Sequence, residues 1–192
     1  RGLALPGAEA LATPLGAVPV DNEAVSLLSD LPQVSTRADV HRAEHSLEVQ
    51  LPFLQAVLGD FCVVPLAVGD ASDREVAEVL ERLWGGPETL VVISSDLSHF
   101  LDDRAAKAID GHTARAIVHL DALQSHEQAC GATPINGLLL AARRRGLRGE
   151  QVDLRTSGDT AGDRRRVVGY GAFAFFEQAC GDASHPPPIR DT

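Results

Sequence analysis

Short apolar runs and segments with helical spacing alternate along the chain. Apolar runs over 61–68 and 90–96 predict buried strands, and the second run ends in polar residues. Between them, the apolar residues of 73–84 recur at helical spacing and predict an amphipathic helix. Strands that alternate with helices indicate an α/β fold with a mostly parallel sheet flanked by helices.

The rest of the pattern extends this alternation in both directions. The other predicted elements are helices over 46–58, 104–119, 120–128 and 133–145 and strands over 151–156 and 167–176. Asp21 is a favourable N-cap for a further short helix, and Pro52 predicts a kink or two short helices within 46–58. Because no helical pattern separates the last two strands, we expect them to form an antiparallel C-terminal edge of the sheet.

Length and charge limit the class of protein. The 192 residues fit one domain, which we assign to 1–178, and we expect the proline-rich segment 179–192 to be a disordered tail. The formal net charge of −10, without a broad basic stripe, argues against nucleic acids and anionic membranes as partners. No run approaches the roughly 20 apolar residues that cross a bilayer, and no signal peptide is visible.

The cysteines are too few and too widely spaced for a disulfide framework. They are Cys62, Cys130 and Cys180. An odd number of dispersed cysteines favours a reducing compartment, so we expect a cytoplasmic protein. The chain begins with Arg1 and contains no methionine, from which we expect its native start to lie further upstream.

Asp96 and His99 stand at the carboxyl end of the predicted strand over 90–96. In open α/β sheets, ligands bind in the crevice beyond the carboxyl ends of the strands. An aspartate and a histidine placed there can transfer protons, which makes both of them candidate catalytic residues. The alternative is that Asp96 caps the next helix and that His99 is an ordinary loop residue.

Cys130 precedes the helix predicted over 133–145, whose first turn suits Pro134. A helix N-terminus favours the thiolate form of a cysteine, which can act as a nucleophile or as a soft metal ligand. The alternative is that Cys130 is a small buried residue, as most free cysteines are.

His41, Glu44 and His45 match the H-x-x-E-H pattern of inverted zinc proteases. Such a zinc site needs both histidines on one helical face and a distant carboxylate ligand. The segment before them is polar and has no clear helical pattern. The alternative is therefore that Glu44 and Ser46 cap the helix that begins near Leu47.

The segment 157–163 joins the last two predicted strands and is rich in turn formers. Its carboxylates, Asp159 and Asp163, could face the crevice of the sheet, or they could belong to a simple turn. The arginine runs over 143–145 and 164–166 are expected to be solvated.

Taken in chain order, these motifs resemble the Memo family, the B component of the AmmeMemoRadiSam set. The matching motifs lie at 13–16, 20–21, 44–54, 94–99, 130–135, 157–159 and 167–170. They cover nearly the whole chain up to about Glu177. Their order and spacing make the match far more specific than any single motif.

The resemblance implies a fold and a site. Memo proteins resemble the class III extradiol dioxygenases in fold and hold a mononuclear iron or copper ion through two histidines and one cysteine. Cys130 matches that cysteine. Asp96 and His99 match other pocket residues, and His99 stands where the dioxygenases keep an acid–base histidine. The further residues expected at the pocket are Glu44, His45 and Asp159.

One feature of the family has no counterpart in this sequence. The two metal histidines of Memo proteins lie in an N-terminal segment, in motifs of the type Pro-His-Ala-Gly and Gly-Pro-Ser/Asn-His, and neither motif occurs here. The resemblance therefore implies that the first strand or two of the sheet are also outside this chain. Cys130 is the one inferred metal ligand that these residues supply.

Three functions follow as expectations. The first is a dioxygenase-like redox enzyme that depends on iron or copper and uses dioxygen, with a radical-SAM enzyme as a partner in the same system. The second is a module without chemistry that binds a peptide or a small molecule in the same pocket, because some Memo proteins are described as phosphotyrosine-peptide binders. The third is a zinc hydrolase that uses His41, Glu44 and His45.

Overall fold

The computed structural model describes residues 1–160 and 162–177. The strands are β1 (Leu3–Leu5), β2 (Ala10–Thr13), β3 (Gly16–Pro19), β4 (Val34–Thr36), β5 (Ala67–Val68), β6 (His99–Leu101), β7 (Leu147–Thr156) and β8 (Val167–Glu177). The helices are α1 (Asn22–Ser26), α2 (Ala38–His41), α3 (Leu51–Leu58), α4 (Asp73–Leu83), α5 (Asp103–Val118), α6 (Ala132–Arg144) and α7 (Ser157–Thr160). Cys180 and the predicted tail over 179–192 lie outside the described residues, so the domain boundaries stay predictions.

The strands pair in three small sheets. β1 lies between β4 and β5, β2 pairs with β3, and β8 lies between β6 and β7. The β1–β4 pair is parallel and the other pairs are antiparallel, and one further parallel bridge joins Val20 and Val63. The mixture of helices and strands confirms the α/β class. The mostly parallel sheet and the class III extradiol dioxygenase-like arrangement are not confirmed.

Both apolar runs that predicted the parallel sheet lack a ladder of strand pairs. The run over 61–68 forms only the two-residue strand β5 and the bridge at Val63, and the run over 90–96 forms no strand. Strand propensity is a preference for a pleated surface, and it becomes a strand only where a neighbouring backbone supplies hydrogen-bonding partners. Among the described residues, the run over 61–68 has such a neighbour only at Val63 and at Ala67–Val68, and the run over 90–96 has no strand neighbour.

The antiparallel C-terminal edge formed by β7 and β8 agrees with the prediction. The ladder runs from the pair of Leu147 with Glu177 to the pair of Thr156 with Gly169. β7 begins four residues before the predicted strand over 151–156. The connection to β8 contains the single helical turn α7 instead of a plain turn.

Helices α4 and α6 pack against each other and form much of the first apolar cluster. α4 begins with a capping box, in which Ser72 and Glu75 each accept a hydrogen bond from the backbone N–H of the other. Val76 and Val79 on this helix are buried. Gly137 of α6 allows the close approach, because a Cβ there would lie 2.3 Å from Cγ1 of Val76.

A second apolar cluster joins the segment before β6 to helices α5 and α6. Its buried members include Leu97, Ile117, Ala129, Ile135 and Leu139. α5 also packs against β7 and β8. The residues before β6 and the turn before α6 therefore rest on a common apolar base.

Three local outcomes have clear physical causes. The helix predicted over 120–128 does not form, because the side chain of Asn136 occupies both backbone groups of Leu123, at 2.8 and 3.0 Å. Pro52 lies in the first turn of α3, so it sets where that helix begins and introduces no kink. Asp21 caps α1 as predicted, since its Oδ1 accepts the Ala24 N–H at 2.9 Å.

None of the described helices combines the length and the apolar character that crossing a bilayer requires.

Candidate functional site

The loop over 94–99 is fixed by two buried residues at its centre. The N–H of Leu97 donates to the carbonyl of Gly169 at 2.9 Å, and the N–H of Gly169 donates to the carbonyl of Ser98 at 2.8 Å. The N–H of Ser98 donates to Oδ1 of Asp110 at 3.0 Å, and Ser98 and Asp110 are both buried. The loop is therefore held by hydrogen bonds to Asp110 of α5 and to Gly169 of β8.

Asp96 and His99, on either side of that anchor, contact each other. Oδ2 of Asp96 lies 3.4 Å from Nε2 of His99, and their side chains are 47% and 31% exposed. Phe100 follows in the left-handed region with φ of 61°, where the pairing of β6 with β8 is irregular. The guanidinium group of Arg166 covers the Phe100 ring at 4.8 Å. The neighbouring residues thus hold a strained backbone next to His99.

Cys130 lies beside the same loop. Its N–H donates to the carbonyl of Asp96 at 3.3 Å, and its Sγ lies 3.9 Å from that oxygen and 3.6 Å from Oγ of Ser95. The thiol is exposed, so the interpretation of Cys130 as a small buried residue is wrong. The structure thus places Cys130 beside Asp96, which lies 34 residues earlier in the chain, and Asp96 in turn contacts His99.

The close fit between the loop and the Cys130 turn depends on Gly131. Its N–H donates to Oγ of Ser95 at 2.8 Å. A Cβ at this position would lie 2.8 Å from Cβ of Ser95, which is closer than real Cβ atoms approach each other. Helix α6 begins at the next residue, Ala132. Gly131 therefore allows Cys130 to lie against the loop directly before a helix.

Glu44 and His45 make their closest polar contacts within their own segment. Oε1 of Glu44 accepts the Ser46 N–H at 2.8 Å, and this bond lowers the pKa of Glu44. Nδ1 of His45 lies 2.7 Å from Oε1 of Glu48. The expected capping role of Glu44 and Ser46 is wrong, because α3 begins at Leu51 after Gln50 and has no side-chain cap, so the bond from Ser46 to Glu44 closes a local turn.

The zinc-hydrolase pattern gains no support from the geometry. Nε2 of His41 lies 2.8 Å from the carbonyl oxygen of Ala4, while Glu44 and His45 contact other residues. Nε2 of Gln50, a few residues further along the chain, donates to Oγ of Ser94 in the candidate site at 3.0 Å.

Asp159 belongs to a cluster of charges at the start of α5. Its Oδ1 lies 2.8 Å from Nζ of Lys107, which also contacts Asp103 at 3.1 Å. The hydrogen bond from Lys107, followed by the one from the Thr156 N–H, lowers the pKa of Asp159 to about 2. Arg164 approaches the same carboxylate at 3.6 Å. These recorded contacts of Asp159 do not include Asp96, His99 or Cys130.

Two residues that shape the site were not singled out in the sequence. Ser95 lies within the recognised loop motif but carries no charge, so nothing marked it as the link to Gly131. Asp110 lies on the same face of α5 as the buried residues Ala106, Thr113 and Ile117. A carboxylate at an apolar helical position is the signal that could have revealed it.

The fit of a metal ion can be tested on the donor groups themselves. Cys130 offers an exposed thiol, whose Sγ lies 3.9 Å from the carbonyl oxygen of Asp96, and the carboxylate of Asp96 contacts His99. Among residues 1–160 and 162–177, however, no three His, Cys, Asp or Glu side chains are placed to hold one ion together. The described residues therefore form at most part of the iron or copper site expected from the resemblance.

Comparison with known proteins identifies relatives of this chain. A family model described as Memo-like protein matches residues 2–174. A MEMO1 family protein from Archaeoglobus fulgidus is 37% identical over 177 residues, which cover 85% of this chain and 66% of the relative. A MEMO1 family protein from Nitrosopumilus maritimus is 31% identical over 176 residues, which cover 85% of this chain and 64% of the relative.

A third relative has a similar identity and a similar coverage of both chains. The MEMO1 family protein of Methanococcoides burtonii is 37% identical over 178 residues, which cover 83% of this chain and 65% of the relative. The chain thus spans just under two thirds of the length of these relatives. The family model and the relatives both cover the loop over 94–99 and the turn at Cys130, so the chain belongs to the Memo-like protein family.

Proposed function

We propose that this chain carries the cysteine and acid–base part of a mononuclear iron or copper site in a dioxygenase-like redox enzyme. The observation that supports it is the double role of Asp96. Its carbonyl oxygen accepts the N–H of Cys130 at 3.3 Å, while its carboxylate lies 3.4 Å from Nε2 of His99. Asp96 therefore contacts both Cys130, which carries a soft donor atom, and His99, which can carry a proton.

The roles of the three residues follow from their atoms. A thiolate at Cys130 is a soft ligand of the kind that copper and iron accept. The Asp96 carboxylate faces Nε2 of His99, so it orients the ring and leaves Nδ1 to exchange a proton with a bound substrate. The described residues do not complete a set of metal ligands, so the roles of these three side chains are ligation by Cys130 and proton transfer by His99 under the orientation that Asp96 imposes.

Metal binding by the chain tests this proposal. Fe(II) and Cu(I) are titrated anaerobically into the wild type and into Cys130→Ser, and bound metal is quantified after gel filtration. Cys62→Ser is the matched control, because Cys62 is the other exposed free cysteine among the described residues. We expect Cys130→Ser to weaken binding at least tenfold, because losing even an outer-shell partner of a ligand costs about 10–100-fold, and Cys62→Ser to bind like the wild type. Equal binding by all three proteins, or none by any, would contradict the proposal.

A binding module without chemistry is the second candidate. Asp96 and His99 are partly exposed and Cys130 is exposed, so a ligand from solution can contact all three side chains without any chemistry. A phosphotyrosine peptide and its unphosphorylated form are titrated into the wild type, Cys130→Ser and His99→Gln. Binding that is lost in His99→Gln and kept in Cys130→Ser supports the module. Oxygen consumption with a catechol substrate counts against it.

Two further proposals rest on separate grounds. Family membership supports a radical-SAM enzyme as a partner of this chain, and the three dispersed cysteines support the cytoplasm as its location. Co-purification of a radical-SAM enzyme with the tagged chain from its own cells, and the cell fraction that retains the chain, test them.

A further inference from the structure

Arg166 differs from the two arginines that precede it in the chain. Arg164 forms ion pairs with two aspartates, at 3.6 and 3.7 Å, and Arg165 forms one with Asp163 at 3.0 Å. The side chain of Arg166 is exposed and has no recorded ion pair or hydrogen bond within the part of the chain that the structure describes. Its guanidinium group covers the Phe100 ring at 4.8 Å instead. The arginine run therefore contains two paired cations and a third that no described carboxylate balances.

Phe100 presents its ring from an unusual backbone conformation. Val167 and Val168 are consecutive in β8, whereas their partners in β6, Leu101 and His99, are separated by Phe100. Phe100 is thus the extra residue of a bulge, and its φ of 61° is rare for a bulky side chain. Bulges next to functional sites redirect a side chain, and such strain persists only where the surroundings hold it. The fold therefore maintains an exposed aromatic ring in a conformation that phenylalanine does not favour.

The Phe100 ring connects this guanidinium group to the candidate site. Its centroid lies 5.6 Å from the centroid of the His99 imidazole, and the two planes are tilted by 53°. Nε2 of His99 lies 3.4 Å from the carboxylate of Asp96. The contacts thus run from a carboxylate through an imidazole and a phenyl ring to a guanidinium group. An anion is repelled at the Asp96 end of this series and attracted at the Arg166 end.

A guanidinium group that covers an aromatic ring keeps N–H groups at its edge, and its planar shape matches a carboxylate or a phosphate. We propose that Arg166 binds the acidic group of a small-molecule substrate, and that Phe100 holds the guanidinium in place for this contact. The inference rests on the proposed function, because the reacting part of the substrate then lies towards Nδ1 of His99. Arg166 determines specificity for acids over neutral molecules of the same shape.

Titration with paired probes tests the proposal. Benzoate and its neutral counterpart benzamide are added to the chain at fixed ionic strength. Binding is followed by the NMR shifts of the Arg166 Nε–H group and of the backbone amides of His99 and Phe100. Because hydrogen bonds to charged groups are strong, we expect benzoate to bind at least about tenfold more tightly than benzamide. Phenyl phosphate in place of benzoate shows whether a phosphate or a carboxylate is the preferred group.

Three variants identify the residues responsible. Arg166→Gln should remove the preference for benzoate over benzamide. Arg165→Gln is the matched control and should keep that preference, because Arg165 is the adjacent arginine and already pairs with Asp163. Phe100→Leu should weaken benzoate binding about two- to fivefold, the loss expected for an exposed cation–π contact. Unchanged amide shifts away from β6 and the start of β8 show that each variant is folded.

Three results would overturn the proposal. The first is that neither acid binds more tightly than benzamide. The second is that Arg166→Gln keeps the preference for benzoate. The third is an equal loss in Arg165→Gln and Arg166→Gln, which means that the overall positive charge of the run attracts the probe. The titration requires no metal, so acid binding at Arg166 and metal binding through Cys130 can each fail while the other is confirmed.

Discussion

The N–H of Gly131 donates a hydrogen bond of 2.8 Å to Oγ of Ser95, and this bond holds the Cys130 turn against the loop of Asp96. The same hydroxyl donates to the Asp96 carbonyl at 2.7 Å. Ser95 thereby joins two backbone segments that are 36 residues apart in the chain. The position of Cys130 relative to Asp96 depends on this small contact.

Gly131→Ala tests that dependence. The added Cβ would lie 2.8 Å from Cβ of Ser95, so one of the two segments must move. Overpacking of this kind costs about 1–3 kcal/mol of unfolding free energy, measured by denaturant unfolding. Adding Ser95→Gly removes the clashing atom, so the double variant should lose less stability than the sum of the two single variants.

Gly111→Ala is the control for Gly131→Ala. Gly111 lies inside α5, and the nearest atom to a Cβ there is 3.9 Å away on Arg115. With space available and a helical backbone, alanine should stabilise the chain by about 0.5–1 kcal/mol. A loss of stability for Gly111→Ala similar to that for Gly131→Ala would show that steric fit at Ser95 is not the cause.

The buried carboxylate of Asp110 should be needed for the loop of the candidate site. Asp110→Ala leaves the buried N–H of Ser98 without its acceptor, which costs about 1–3 kcal/mol of unfolding free energy. Asp110→Asn keeps an oxygen in that place and should cost less. Asp121→Asn, at an exposed aspartate, is the control and should change stability little. Equal losses for Asp110→Ala and Asp110→Asn would show that the bond to Ser98 is unimportant.

Acid should remove the stabilisation that Asp159 provides. Lys107 and the Thr156 N–H lower the pKa of this carboxyl from 3.8 to about 2 in the folded chain. A lowered folded-state pKa means that the contribution is complete above about pH 4 and is lost as the pH falls towards about 2. The difference in unfolding free energy between the wild type and Asp159→Asn should therefore be largest near neutral pH.

Denaturant unfolding of both proteins at several pH values between about 6 and 2 checks this prediction. The difference between them should shrink as the pH falls below about 4 and should disappear only below about pH 2, the folded-state pKa. Lys107→Met should remove most of the pH dependence of that difference. A gap between wild type and Asp159→Asn that stays constant down to pH 2 would contradict the role of the charge cluster.

The sequence was sufficient where an element depends on its own residues. The apolar spacing over 73–84 predicts α4, which spans Asp73–Leu83, and the capping box at Ser72 agrees with its start. The alternation over 151–156 and the run over 167–176 predict β7 and β8, because these strands pair with each other. Periodicity and capping depend on residues close together in the chain, so both can be identified in the sequence alone.

The sequence was insufficient where an element depends on a distant partner. The run over 90–96 has the composition of a strand, yet it has no backbone neighbour among the described residues and forms none. The residues of the candidate site also divide into those predicted from local motifs and those whose roles depend on distant contacts. Motif matching predicted Asp96, His99 and Cys130, and in the structure His99 and Cys130 each contact Asp96. It could not reveal Ser95 or Asp110, because their roles arise from contacts across the fold.

The ribbon of β7 and β8 has a consequence for the order of folding. Thr156 pairs with Gly169 across a short connection, whereas Leu3 of β1 pairs with Val68 of β5 across a much longer one. Contacts between residues close in sequence form faster than distant ones. We therefore expect the ribbon to be protected early in refolding and the β1 sheet late. Since the loop of Asp96 and His99 hydrogen-bonds to Gly169, the site can be assembled only on a ribbon that has already formed.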